Sequence, residues 1–118
     1  MDKRRVFGNR GEDLAASFFV SRGFRVVARN WSCRLGEIDL IAEKEGKLHF
    51  VEIKTRHSLD FGYPEESITP TKLKHLTRAV ETYLRDKALE DVEYQVDALA
   101  ILVLPGERPN LRLIENIL

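Results

Sequence analysis

Two consecutive stretches decide the fold: Gly36-Glu37-Ile38-Asp39-Leu40-Ile41-Ala42-Glu43 and Lys47-Leu48-His49-Phe50-Val51-Glu52-Ile53-Lys54-Thr55. Both alternate with a period of two, so both read as strands. Between them Glu45-Gly46-Lys47 reads as a tight turn, which makes the second strand return antiparallel to the first. In the first strand Ile38, Leu40 and Ala42 are expected on one face, and Glu37, Asp39 and Ile41 on the other. In the second, Leu48, Phe50, Glu52 and Lys54 share one face, and His49, Val51 and Ile53 the opposite one.

Working outward, Phe24 to Trp31 is a further strand, rich in Phe and Val. Before it, Leu14, Ala15, Phe18 and Phe19 recur at helical spacing, which predicts a helix from about Asn9 to Arg22. Asn9 is its expected N-cap, Glu12 stands at the capping-box position, and Gly23 ends it. Beyond the hairpin, Gly62 and Pro64 mark a loop. Thr69-Pro70 then reads as an N-cap followed by proline at the first helical position. The helix that follows runs to about Lys87, with Leu73, Leu76, Val80, Tyr83 and Leu84 as its apolar stripe. Tyr94 to Leu104 is the most apolar segment and reads as a buried strand. Pro105-Gly106 is a turn, and Leu111 to Ile114 adds a short edge strand. The order αβββαβ, with one more β, predicts an α/β fold in which helices flank a mixed sheet. The helical crossover between the third and fourth strands makes those two parallel.

The chain has 118 residues, enough for one domain, expected to span residues 1–118, that buries a core without disulfides. Its single cysteine, Cys33, excludes an intramolecular disulfide and a multi-cysteine zinc site, and fits a reducing, cytoplasmic compartment. Met1-Asp2-Lys3-Arg4-Arg5 is charged and no long apolar stretch follows, so neither a secretory leader nor a membrane span is expected. The net charge is zero, but the distribution is uneven. Arg22, Arg25, Arg29 and Arg34 form one stretch without acids, and Lys72, Lys74, Arg78, Arg85 and Lys87 dominate another. Such clusters either solvate a surface or build a basic face that a neutral total conceals.

The chemistry concentrates on the hairpin. Glu52 and Lys54, two apart on a strand, lie side by side on rigid backbone, and Asp39 on the adjacent strand can come close to Glu52. Charges among apolar strand residues are costly unless paired or metal-bound. One reading is a structural ion pair of Lys54 with Glu52 or Asp39. The other is a site. Two carboxylates on neighbouring strands suit a hard cation, Mg²⁺ or Mn²⁺, and the Ile53 carbonyl offers a further oxygen. Lys54 would then orient or deprotonate a water, or balance charge that develops on a phosphate.

The arrangement D-x12-E-x-K on two adjacent strands, after a helix that bears an acid, resembles the PD-(D/E)xK nuclease superfamily. It resembles more closely the YraN-like family of small bacterial proteins. The residues that carry this are Gly11-Glu12-x-x-Ala15, Gly23-Phe24, Asn30-Trp31, Gly36 to Ala42, Phe50 to Arg56, Lys72, Ala79 to Leu84, and Val96-Asp97. The family is similar in fold and site to the archaeal Holliday-junction resolvases, dimers that cut branched DNA with divalent metal. The resemblance implies a restriction-endonuclease-like fold and a metal-dependent endodeoxyribonuclease. It implies Asp39 and Glu52 as metal-binding acids, Lys54 as catalytic lysine and Glu12 as an assisting acid. It also implies DNA as partner and a homodimer. Ile38 stands where the superfamily has proline, in agreement with the YraN-like pattern. Tyr94-Gln95-Val96-Asp97 replaces the family's Arg-Phe-Asp-Val, which leaves Asp97 without an assigned role.

Other residues admit two readings. Glu12 suits helix capping as well as catalysis. Glu37 is an auxiliary acid or an exposed side chain. Arg56 and Lys72 are candidate phosphate contacts, Lys72 near the free N–H groups of a helix start. Arg10 and Arg34 are further candidates. His49, His57 and His75 lack metal-ligand spacing and read as surface or partly buried residues. Trp31 and Tyr63 read as core or loop anchors, or as base-stacking rings. The alternatives to an endonuclease are a nucleic-acid-binding module that does not cut, and a protein-interaction domain whose ion pair is structural.

Overall fold

The computed structural model describes residues 10–118. The charged stretch from Met1 to Arg5 and the Asn9 cap lie outside the described residues. The elements are α1 (Arg10–Ser21), β1 (Arg25–Cys33), β2 (Gly36–Lys44), β3 (Lys47–Arg56), a 3-10 turn (Pro64–Ser67), α2 (Pro70–Asp86), β4 (Glu93–Leu102) and β5 (Asn110–Ile114). This is the expected order with the additional edge strand. The five strands form one sheet in the order β1-β2-β3-β4-β5. All neighbours are antiparallel except β3 and β4, which run parallel over ten residue pairs from Lys47↔Glu93 to Arg56↔Leu102. The helical crossover through α2 makes that parallel pair possible.

Local chemistry accounts for the joints. Glu45 and Gly46 both have positive φ (53° and 80°), the pattern of a type I′ turn, whose twist matches the hairpin it closes. α1 ends where the Phe24 N–H returns to the Phe19 carbonyl at 3.0 Å. α2 starts with Pro70 in its first turn, and the Thr69 hydroxyl accepts the Lys72 N–H at 3.2 Å.

Each face of the sheet carries a core. On one, Ala15 and Phe19 of α1 pack on Leu40, Ala42, Val51, Leu99 and Ile101. On the other, Leu76, Val80, Tyr83 and Leu84 of α2 pack on Ile41 and Phe50. Each fully buried Phe, Phe19 on one side and Phe50 on the other, contributes about 1.5–3 kcal/mol of burial. Tyr83 ties its core together edge-on, with ring centroids 5.2 Å from Trp31 and 5.6 Å from Phe50. Trp31 is therefore a core anchor.

The face assignment of β2 needs a correction. Ile38 lies with Ile41 in the core under α2, not with Leu40 and Ala42. Strict alternation fails because the β2–β3 ladder stops at Leu40↔Val51. From Ile38 back to Gly36 the chain stays paired with β1, while β3 continues beside β4 to Arg56. Beyond Val51, β3 has no β2 partner in the ladder, and a cleft opens along that side. A second correction concerns His49, expected at the surface or partly buried, which is buried and bonded to Asp97 at 2.9 Å. Among the described residues no helix is long and apolar enough to cross a membrane.

Candidate active site

The cleft has a volume of about 890 Å³, and Glu12, Asp39, Glu52, Ile53 and Lys54 stand together in its wall. Asp39 sits where β2 leaves the β3 ladder. In place of a backbone carbonyl, its Oδ2 accepts the Ile53 N–H at 2.8 Å. N–H and C=O of one strand residue project to the same side. The Ile53 carbonyl therefore also faces this open edge, past the last ladder pair.

Glu52 and Lys54 share a face of β3, and Lys54 Nζ is 3.5 Å from Glu52 Oε1. Burial and the neighbouring Glu52 push the Asp39 carboxyl up to about 7, and the Ile53 N–H only partly opposes them. Glu37 and Glu12 push it the same way. Burial also raises Glu52, against the pull of Lys54. Two half-buried carboxylates thus face each other with too little positive charge nearby to settle them both as anions.

α1 supplies Glu12. Gly11 makes this possible: a Cβ there would collide with the Thr55 hydroxyl, so only glycine lets the first turn of α1 lie against the end of β3. The Glu12 carboxylate accepts the Asn30 side-chain amide at 2.9 Å, and Arg29 is 3.9 Å away. Asn30 has φ +52°, a conformation that asparagine tolerates better than most residues. No task for Asn30 was legible in the sequence. Its signal was a strand position held by a residue that strands disfavour.

The cations divide. Arg34, Arg56 and Lys72 line the cleft. Lys54 beside it lowers the Lys72 ammonium from its usual value. Arg10 is exposed and does not line the cleft. Arg25 and Arg29 are paired with Glu43 and Asp13 at 2.6 and 2.7 Å, so much of the acid-free arginine stretch is neutralised across space. Glu37 is exposed in the cleft wall, as are His75, read from the sequence as a surface residue, and Leu35, which the sequence did not single out.

Among the described residues no three His, Cys, Asp or Glu side chains form a closed metal cage. A hard cation of the Mg²⁺ type takes one or two carboxylates and keeps its remaining ligands as water. Asp39, Glu52 and the Ile53 carbonyl fit that requirement, and the mutual repulsion of the two acids is what a divalent charge would relieve.

The model of the "Uncharacterised protein family UPF0102" matches residues 11–101, from the helix that carries Glu12 to the end of β4. The chain belongs to the UPF0102 family. A UPF0102 protein of Caldicellulosiruptor saccharolyticus is 39% identical over 117 residues that cover 98% of each chain. One of Neisseria meningitidis is 45% identical over 102 residues that cover 86% of each. The YraN-like resemblance of the two strand motifs is borne out. A solved structure with a similar fold is Archaeoglobus fulgidus Hjc, a Holliday junction resolvase from an archaeal hyperthermophile. The two superpose with a TM-score of 0.52 over 88% of this chain and 74% of that one, at 18% identity. At that identity the likeness establishes the fold: this UPF0102 chain has the mixed α/β sheet of a nuclease fold.

Proposed function

We propose that this chain is an Mg²⁺- or Mn²⁺-dependent endonuclease that hydrolyses DNA phosphodiesters, in branched or flapped DNA during recombination or repair. The observation that carries this is the placement of Asp39. Its carboxyl stands at the open end of the β2–β3 ladder, accepts the Ile53 N–H at 2.8 Å and shares the cleft wall with Glu52, which together with burial pushes it up to about 7. Lys54 stands 3.5 Å from that second acid. A nuclease fold and a DNA resolvase of that fold support the choice of substrate.

Asp39, Glu52 and the Ile53 carbonyl would hold a divalent cation, which when bound would supply charge neutralisation and a more acidic water. Lys54 Nζ donates hydrogen bonds from the same strand face, so it positions the attacking water and offsets the charge that accumulates on the phosphoryl oxygens. Glu12, held by Asn30, accepts a hydrogen bond from solvent in the cleft and helps to align it. Arg56, Lys72 and Arg34, all in the cleft wall, contact backbone phosphates next to the reacting one.

The test is incubation with four-way junction, flap and linear DNA in Mg²⁺ or Mn²⁺, alongside calorimetric metal titration. Cleavage is expected, with loss of at least about a hundredfold in Lys54→Ala and Asp39→Asn and loss of metal binding in Asp39→Asn. Absence of both cleavage and metal binding would sink the reading. Salt-dependent DNA binding indifferent to both substitutions would replace it with a binding module that does not cut. No affinity for nucleic acid would leave a protein-interaction role.

A further inference from the structure

Phe61 is 82% exposed and Tyr63 54% exposed. They stand on the turn that joins β3 to the 3-10 segment, and that turn is well braced. The Gly62 N–H donates to the Leu59 carbonyl at 3.1 Å, and the Tyr63 N–H donates to Glu66 Oε2 at 3.1 Å. Pro64 behind them is fully buried, and Glu65 is bonded to Arg112 of β5 at 2.9 Å. The rings are therefore held out in water by a fixed support. Both ends of the segment, Arg56 and Ser67, stand in the wall of the cleft, as do Lys72 and Arg34.

Cations in a cleft wall, with aromatic faces presented from a segment whose two ends stand in that wall, suit a single strand: charge meets its backbone and rings its bases. A continuous duplex keeps its bases stacked on one another and offers such rings nothing. We propose that Phe61 and Tyr63 form a stacking platform for unpaired bases of a DNA strand whose backbone meets Arg34, Arg56 and Lys72 in the cleft. The preferred substrate class is then DNA with unpaired nucleotides beside the scissile phosphate, not continuous duplex. This rests on the reading that the cleft takes DNA; it does not require that the DNA be cut.

The test uses the full chain with Ca²⁺ in place of Mg²⁺. Fluorescence anisotropy compares a continuous duplex with the same duplex bearing a flap that contains 2-aminopurine. The expected result is tighter binding of the flap, with quenching of the 2-aminopurine. Phe61→Ala and Tyr63→Ala should each weaken flap binding on the order of tenfold and restore fluorescence, with duplex affinity unchanged as the control for folding. Phe61→Trp should retain both signals. Equal affinity of the unsubstituted chain for flap and duplex, or flap binding indifferent to both alanine variants, overturns the proposal. So does a parallel loss on flap and duplex. Sedimentation supplies a further arm: a dimer dispersed by Phe61→Ala would mean that a second copy covers the rings, which also overturns it. Absence of any DNA binding defeats this proposal and the nuclease reading together. Flap-selective stacking without cleavage in Mg²⁺ or Mn²⁺ defeats the nuclease reading alone.

Discussion

Asp39 and Asp97 are both carboxylates built into the sheet, and their surroundings differ in kind. Asp97, on β4, is fully buried on the α1 face. Three donors satisfy it: His49 Nδ1 at 2.9 Å, Gln95 Nε2 at 2.7 Å and the Asn116 N–H at 3.1 Å. Phe24 packs edge-on against His49 at 4.9 Å and closes the cluster from above. Asp39 is half-buried at the cleft, has one backbone donor, and faces another acid. A carboxylate given every donor it can use holds a structure together. One given a neighbour of its own sign is set up for a cation that arrives from outside. On the proposed reading the difference separates an acid of the fold from an acid of the site, and it appears only once the side chains are placed.

The strongest way to break the comparison is to remove Asp97. Asp97→Ala leaves His49 buried without its acceptor and Gln95 with Glu115 alone, and should cost about 3–5 kcal/mol, read as a lower midpoint in urea unfolding. Metal titration of whatever remains folded should be unaltered. A loss of metal binding with little loss of stability would mean that the two acids had been assigned the wrong way round.

Asp39 should behave in the opposite sense. Its carboxyl lies near 7 in the folded chain against an ordinary 3.8. Between those values the folded state binds more protons than the unfolded state, so stability falls as pH rises. The contribution is fully present below about pH 4 and is lost once the pH passes about 7. Asp39→Asn keeps an acceptor for the Ile53 N–H and removes the charge. Without metal, it should raise stability at pH 8 by roughly 2–4 kcal/mol, and flatten the pH dependence of the melting temperature. Adding Mn²⁺ at pH 8 should stabilise the unsubstituted chain and leave the variant unmoved. If Asp39→Asn destabilises the chain at pH 8, the carboxylate serves the fold after all.

How far this contrast could be read in the sequence depends on distance along the chain. The β2–β3 hairpin was legible because its signals are local: alternation, a Glu-Gly turn, and acids spaced so that Asp39, Glu52 and Lys54 reach one locus. α2 was legible through Thr69, Pro70 and its apolar stripe. What the sequence did not disclose is set by partners far apart. His49 meets Asp97 because β3 and β4 lie parallel in one particular register, and nothing near either residue announces it. Ile38 changes sides because the ladder ends, a property of two strands and not of one. Asn30 reaches Glu12 across a helix–strand contact that depends on the absence of a side chain at Gly11. Arg25 and Arg29 looked like a basic stretch because their acids, Glu43 and Asp13, come from other elements.

Glu52 tests the contrast at its finest point, since it has features of both kinds. It has a cation at 3.5 Å, as a structural ion pair would, and an acid beside it, as a metal ligand would. Lys54 is 27% exposed and Glu52 17%, so solvent screens the pair and its value is small, within about 1 kcal/mol. Glu52→Gln gives up that attraction and also relieves the repulsion on Asp39. The two changes should nearly cancel, leaving metal-free stability at pH 7 within about 1 kcal/mol of the original. The informative reading is elsewhere. With Glu52 neutral, one of the main causes that raise the Asp39 carboxyl is gone, so its titration, followed by carboxyl NMR, should move toward lower pH. A loss of more than about 3 kcal/mol would identify a buried structural ion pair instead, and an unmoved Asp39 titration would show that burial alone, not the second acid, holds its proton.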